Sequence, residues 1–482
     1  MTDFTFASLI PVLPELSLAV SGLLLLVIGA FMGDKKTDLI GWLAVAAFVI
    51  SGALLINHWG EARVEAMNGL FVLDQFGVVV KLLTLAGLIV SVVLSIPYLK
   101  EEKIARFEYP ILILMAGLGM MVMVSAHDLL SLYVGLELQS LSLYVLAAIR
   151  RDNSKSAEAG LKYFILGAMA SGLLLFGASL VYGYTGTTNF TLIGDTLATQ
   201  MSAGALIGLV FIMAGLAFKI SAAPFHMWTP DVYEGSPTSV TAFFALVPKL
   251  AAIALLTRLL FEAFPGAQMQ WQQIIWILSL MTMAVGAFAA LLQDNIKRLL
   301  AYSSIGNMGF ALVGLAASNP EGIASVLVYM IIYMVMTAGT FSIVLCMRRD
   351  GQPLEKISDL AGLSRNSPAL AYALAIMMFS MSGIPPLAGF FGKFLVFKAA
   401  VGAGLYGLAV AGVVLSVVAA YYYLRVIKVM FFDEPVAKYD DAIPVSRKII
   451  LGASVAAVLV FIVIPTPVID TAKGAAFALF NG

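Results

Sequence analysis

Residues 368–401 read PALAYALAIMMFSMSGIPPLAGFFGKFLVFKAAV, and two of them, Lys393 and Lys398, are charged. The stretch is far longer than the roughly 20 apolar residues that span a bilayer as one helix. Its middle holds Gly383-Ile384-Pro385-Pro386-Leu387-Ala388-Gly389. Proline lacks the backbone donor and clashes with the preceding turn. The stretch therefore predicts a membrane helix broken at its centre, with Lys393 seven residues past Pro386.

A second stretch has the same character. Residues 203–233 are long and apolar and contain Pro224 and Pro230, with Lys219 five residues before the first proline. Interrupted helices placed correspondingly in two halves point to inverted repeats around an ion pathway. The plainer reading is ordinary proline kinking, which membrane helices tolerate.

The rest of the chain fits lipid as its solvent. Of 482 residues, 61% are hydrophobic and 12% charged, about half the charged share of an ordinary soluble domain. Lys plus Arg equals Asp plus Glu, at 28 each, so no charge excess points to nucleic acid. One cysteine, Cys346, excludes a disulfide scaffold and a cysteine-ligated cluster within the chain. His58, His127 and His226 are widely spaced and give little support for a metal site. No Walker loop, dinucleotide fingerprint or nucleophilic Ser–His set is present, and the 23 methionines read as packing. No Lys or Arg precedes the first apolar run, which reads as a retained helix and not a secretory signal.

Fourteen segments qualify as spans: 9–32, 40–57, 75–98, 109–125, 128–148, 159–184, 203–233, 238–261, 272–293, 299–317, 321–347, 368–401, 405–429 and 449–467. The expected fold is an all-α polytopic membrane protein of about 14 transmembrane helices, two of them broken. Segments 4–8 and 9–13 form two inverted five-helix repeats. The regions are then 1–108 (three N-terminal helices), 109–261 (first repeat), 262–429 (second repeat) and 430–482 (C-terminal loop and last helix).

Loop charge fixes the orientation. The loops and segment ends after odd-numbered segments hold eighteen Lys and Arg, against three (Arg63, Arg258 and Lys473) in the even set and termini. Positive loops stay inside, so both termini are expected on the outer side, as an even number of spans requires.

Besides Arg258 and Lys428, counted above with the segment ends, seven basic residues fall inside the segments: Lys81, Lys162, Lys219, Lys249, Lys393, Lys398 and Arg425. Glu137 joins them, nine residues into segment 5 and near mid-depth. A charge at the bilayer centre costs about 2.5–3.5 kcal/mol on insertion scales, which makes such residues functional candidates. Desolvation disfavours a lysine's charged form and a nearby carboxylate restores it. A buried lysine beside a movable carboxylate can therefore take and release a proton. Glu137, Lys219, Lys249 and Lys393 are candidates on this ground, with structural ion pairing between helices as the other reading. Lys162 is rivalled by an i,i+4 surface pair with Glu158. Lys398 and Arg425 sit near segment ends, where they can snorkel. Lys81 has no assigned role. The polar stretch PFHMWTPDVYEG (224–235) reads either as an interfacial turn with an aromatic anchor or as a wet half-helix from Lys219 to the surface, with His226 as a candidate.

Five stretches together resemble one family: LYVGLELQSLSLYVL around Glu137, GLAFKISAAPFHMWTPDVYEGSPTSVTAF around Lys219, Lys249 soon after, QDNIKRLLAYSSIGNMGF (293–310), and GIPPLAGFFGKFLVF (383–397) with Lys393. They resemble the antiporter-like membrane subunits of proton-pumping NADH:quinone oxidoreductase, complex I. The resemblance covers nearly the whole chain. Multi-subunit sodium/proton antiporters share the Glu and Lys motifs and are the nearest alternative. Lys393 stands where the M subunit of complex I has a glutamate. The L subunit continues into a long lateral helix, whereas this chain stops at Gly482. The stretch YYYLRV (421–426) also sets the chain apart from both.

The resemblance implies two half-channels, Glu137 paired with Lys219, and a polar line through Lys162, Lys219, Lys249 and Lys393. It implies proton uptake near the Lys219 break and release near Lys393, in a bacterial inner membrane. Partners would be membrane-arm subunits, especially M and K. No cofactor is expected in this chain: flavin, iron–sulfur clusters and the quinone site would lie on partner subunits.

Overall fold

The computed structural model describes residues 6–440 and 443–480. The extreme ends of the N- and C-terminal regions expected from sequence, and residues 441–442, lie outside the described residues. Twenty α-helices make up the described fold. They are α1 (Leu13–Met32), α2 (Thr37–Ile56), α3 (Gln75–Glu101), α4 (Glu108–Val124), α5 (Leu129–Ala147), α6 (Ser154–Thr185), α7 (Phe190–Thr199), α8 (Ala203–Lys219), α9 (Trp228–Gly235) and α10 (Thr238–Leu246). Then come α11 (Pro248–Glu262), α12 (Gln268–Ala290), α13 (Ile296–Ala316), α14 (Pro320–Val344), α15 (Leu363–Asn366), α16 (Pro368–Ser382), α17 (Ala388–Gly402), α18 (Tyr406–Phe432), α19 (Val445–Val460) and α20 (Thr466–Phe480). Two short antiparallel hairpins, Val64–Ala66 with Phe71–Leu73 and Arg348–Arg349 with Gln352–Pro353, are the only named strands among the described residues.

Every expected segment is helical. Ten stretches, from Leu9–Met32 to Tyr406–Phe432, are long and apolar enough to cross a membrane, while α4, α8 and α16 are apolar but shorter. Both expected breaks are present. Residues 220–227 separate α8 from α9, and 383–387 separate α16 from α17.

Two expectations need correction. Segment 8 is not continuous: Val247 (φ −114°, ψ −49°) and Pro248 divide it into α10 and α11. Pro248 cannot donate to the preceding turn but opens a new helix well, its fixed φ suiting the first helical position. Lys249 is thus the second residue of a helix, not a mid-helix residue. The last segment does not end at 467 either. After Pro465 the chain continues as α20, which buries Ala472, Ala475, Ala476 and Leu479.

Helices approach closely where glycine allows it. A Cβ at Gly119 of α4 would lie 2.5 Å from the Gln139 nitrogen of α5, and one at Gly286 of α12 would strike the backbone of Gly306 in α13. Small residues at crossings are how helices gain packing when lipid gives no hydrophobic drive.

Charge collects at two ends. The end that carries the odd-numbered loops, called inner after the charge-bias expectation, joins Arg150 and Arg348 to Glu102, Arg447 to Glu101, Lys297 to Glu355 and Arg425 to Asp294. Arg425 therefore does reach an end, and Lys398 is exposed. The outer end is a buried network. Arg258 bonds Asp74 at 2.8 and 2.7 Å and Glu262 at 2.6 Å; Glu262 also meets His127 at 2.7 Å and Arg63 at 3.1 Å. Burial pushes the Asp74 carboxyl up, but the Arg258 guanidinium more than offsets this and holds it below the usual carboxylate range. Sequence reading placed Arg258 among loop charges; it is fully buried in α11.

Two corresponding contacts stand at opposite ends. Asp128 caps α5 and bridges Asn189, beyond α6; Asn295 caps α13 and bridges Lys356, beyond α14.

Candidate functional site

Lys219, Lys249 and Lys393 are each buried, at 7%, 1% and 6% exposure. Each sits where a helix stops or starts, so the breaks predicted by proline carry the site. Lys219 is the last residue of α8, Lys249 the second of α11, and Lys393 the sixth of α17.

Their partners are neutral. Lys219 Nζ donates to Ser140 Oγ (2.6 Å) and Tyr144 OH (3.4 Å) on α5. Lys249 Nζ donates to Ser304 Oγ (2.5 Å) on α13 and lies 5.3 Å from the Tyr233 ring centre. Lys393 Nζ donates to Ser382 O (3.0 Å) and Ser416 Oγ (2.9 Å), 4.6 Å from the Phe310 ring centre. Among the described residues none of the three forms an ion pair. A buried ammonium without a counter-charge is costly, and hydroxyls and aromatic faces offset only part of that cost. Such lysines are poised to give up their protons.

The expected contact between Glu137 and Lys219 is absent. Glu137 is half-buried and accepts from Ser171 of α6. Ser140, one turn along α5 from Glu137, takes the lysine instead. Glu137 and Ser140 share one face of α5, so the carboxylate stands one hydroxyl away from Lys219. A short hop of either side chain would change the coupling.

Lys162 stands apart. Its side chain is 41% exposed and pairs with both Glu158 (2.7 Å) and Asp231 (2.8 Å). The surface pair considered at the sequence level is present, enlarged by Asp231, which also accepts from Arg298 at 2.7 Å. These residues line an inner-end cleft of about 130 Å³.

The stretch 224–235 is not an interfacial anchor. Trp228 is buried, donates to Phe218 O (3.0 Å) and stacks on Tyr163. Thr229 bonds Ser221 at 2.8 Å, and Thr282 accepts from the Ala223 N–H at 2.9 Å. The α8–α9 break is therefore satisfied internally, and α9 leads to the inner charges through Asp231 and Glu234. His226 lies in the break, half-buried, and its Nδ1 has no partner among the described residues.

Sequence reading missed a hydroxyl–amide chain. Tyr333 OH donates to Ser304 Oγ (2.7 Å), Tyr329 OH to Asn307 Oδ1 (2.6 Å), and Tyr423 OH meets Ser303 Oγ at 2.5 Å. Ser303, Ser304 and Asn307 all lie on α13, close to Lys249. Their spacing in AYSSIGNMGF was the available signal.

Broken helices with unpaired lysines at the breaks define a class: a polytopic membrane protein with a proton-exchanging interior. The comparisons narrow it. Residues 126–419 match the family described as NADH:quinone oxidoreductase/Mrp antiporter, transmembrane. The chain is 54% identical over 480 residues to the NADH-quinone oxidoreductase subunit N of Rhodospirillum rubrum, covering 98% of this chain and 99% of that one. It is 51% identical to subunit N of Paramagnetospirillum magneticum, covering 98% of each. Among solved structures, a chain of respiratory complex I from Thermus thermophilus superposes with a TM-score of 0.82 at 33% identity, covering 95% of this chain and 98% of that chain. A chain of the Mrp complex from Dietzia sp. shares the fold, with a TM-score of 0.87 at 22% identity, over 99% and 98%. The chain belongs to the NADH:quinone oxidoreductase/Mrp antiporter membrane family.

Proposed function

We propose that this chain is the N-type proton-translocating subunit of an NADH:quinone oxidoreductase. The observation that carries the mechanism is the set of three buried lysines bonded to hydroxyls at helix breaks. In this reading protons enter from the inner end along α9, load Lys219, pass to Lys249 and the Ser304–Tyr333 pair, and reach Lys393. Glu137 biases Lys219 from across the Ser140 turn. The partners are other membrane-arm subunits, M and K among them; the flavin, iron–sulfur clusters and quinone site lie on further subunits of the complex.

The two halves act as inverted repeats, 109–261 and 262–429. The capped α5 and α13, each bridged to the loop after the next helix but at opposite ends, support this. So do the glycine-tight pairs α4–α5 and α12–α13.

The fold it shares with the Mrp chain keeps one rival reading, a cation/proton antiporter subunit. Purification in mild detergent separates the two. Co-elution with flavin- and iron–sulfur-bearing proteins, with NADH oxidation, supports the proposal. Co-elution with membrane proteins alone and sodium-dependent proton exchange would replace it.

The charge bias further supports both termini lying outside the cytoplasm, and the bacterial relatives support a bacterial inner membrane. With Cys346 changed to Ala, a cysteine at Asn481 should react with an impermeant thiol reagent in intact cells, and one at Ser364 should not. The reverse pattern overturns the orientation.

A further inference from the structure

We infer that Glu15 and Lys81 form a second proton-exchanging pair, outside the line of Lys219, Lys249 and Lys393. The inference rests on the proton-translocating reading and adds a site to it.

Lys81 Nζ lies 2.5 Å from Glu15 Oε1, with side-chain exposures of 0% and 3%. The Phe71 ring centre is 4.5 Å from the ammonium. At this distance the two groups form a close ion pair. No other described side chain hydrogen-bonds to Nζ or to either Glu15 oxygen. The neighbouring Asp74–Arg258 pair is the opposite case. It has two direct bonds, a third from the Gly77 N–H at 2.7 Å, and Glu262 beyond. A guanidinium keeps its proton at any working pH, so that pair is fixed. Lys81 is an amine that can lose its proton, and nothing but one carboxylate holds its charge.

A proton shift from Nζ to Oε1 breaks one N–H bond and forms one O–H bond. It leaves an amine and a carboxylic acid, so two buried charges supported only by each other disappear. When water reaches the pair, the amine can take a proton from one side and the carboxylic acid can give one up on the other. The ion pair is restored, and one proton has crossed it.

The position suits such a step. α3 passes the α10–α11 junction with Gly87 against Val247, two residues before Lys249. Lys81 lies six residues earlier in α3, about 9 Å toward the outer end. The charged groups nearest the pair are His58, in the turn after α2, beside Glu15, and Asp74 and Arg258 beside Lys81. His58 meets the exposed Glu61 at 2.6 Å, which gives the pair a polar neighbour at the surface.

The test uses the whole complex in liposomes. Removing one partner strands a charge under either view. The double variant Glu15→Leu/Lys81→Met leaves none, and apolar replacements of buried pairs are commonly tolerated. If the pair exchanges protons, the assembled double variant moves fewer protons per NADH oxidised. An unchanged ratio overturns the inference. Redox-induced infrared difference spectra give a second readout that needs no double variant. A carboxylic-acid C=O band sensitive to D2O should be lost in Glu15→Gln and moved in Glu15→Asp. A spectrum unaltered by both overturns the inference. Failure of the general reading looks different: Lys219→Met would then pump normally.

Discussion

The two broken helices hold their lysines in opposite ways. At the α8–α9 break Lys219 precedes the gap, and a carboxylate, Glu137, stands one hydroxyl away from it. At the α16–α17 break Lys393 follows the gap and rests on Ser382 O, Ser416 and the Phe310 face. No described carboxylate acts on Lys393. The same device, a lysine at a proline break, is thus tuned by charge in one half and by neutral dipoles in the other. Charge acts at longer range than a dipole and changes sharply when a side chain moves. Within this chain the first half is where the proton affinity of a lysine can be switched; the second offers a fixed environment.

The largest effect should therefore follow removal of the first lysine. Lys219→Met keeps length and apolar volume and deletes the carrier. Proton uptake by vesicles containing the assembled complex should fall at least about tenfold, a floor set below the roughly hundredfold that a lost proton-transfer group typically costs. NADH-driven quinone reduction should fall with it. Normal pumping would remove Lys219 from the path and dissolve the comparison.

Glu137→Gln should have a smaller effect. A direct pair at 4 Å would gain about 4 kcal/mol at an effective dielectric near 20, but Glu137 is not in contact with Lys219, and its influence weakens with separation. A few-fold loss of pumping is expected, with assembly intact because Gln can still accept from Ser171. The double variant with Lys219→Met should be no worse than Lys219→Met alone, since members of one unit are non-additive. Independent, multiplying losses would show that the two residues do not form a switch.

Much of this was legible in the sequence, for physical reasons that also mark the limits. Apolar runs report lipid, and Pro224 and Pro385-Pro386 report breaks, because both act locally. Buried lysines stand out because charge is rare in such runs. The division at Pro248 was not among the two expected breaks, because a lone proline is equally at home inside a kinked helix and at the start of a new one. α20 was missed because Pro465, Pro467, Asp470 and Lys473 end the apolar run, although the chain stays helical. The outer network was hidden by distance: Asp74 and Arg258 are 184 residues apart. Only the i,i+4 spacing of Arg258 and Glu262 hinted at it. The direct Glu137–Lys219 contact failed for a reason no spacing reveals. Ser140 occupies the place between them, and Ser171 offers Glu137 a nearer partner.

The smallest effect should come from Lys162, and it decides where the line of lysines begins. Sequence placed Lys162 on that line; the structure places it in the inner-end cleft, 41% exposed, with two carboxylates in contact. Exposed ion pairs contribute at most about 1 kcal/mol, since water already solvates both charges. Asp231 keeps Arg298 when Lys162 is gone, so the inner end of α9 stays anchored. Lys162→Met should then assemble normally and pump within about twofold of the unsubstituted complex, the change expected from about 0.4 kcal/mol, the middle of the range for exposed pairs. Proton uptake in vesicles with matched complex content measures it, beside Lys219→Met on the same preparation. A loss as deep as that of Lys219→Met would mean that protons pass through the lysine itself. The cleft would then be the first station of the path rather than its mouth.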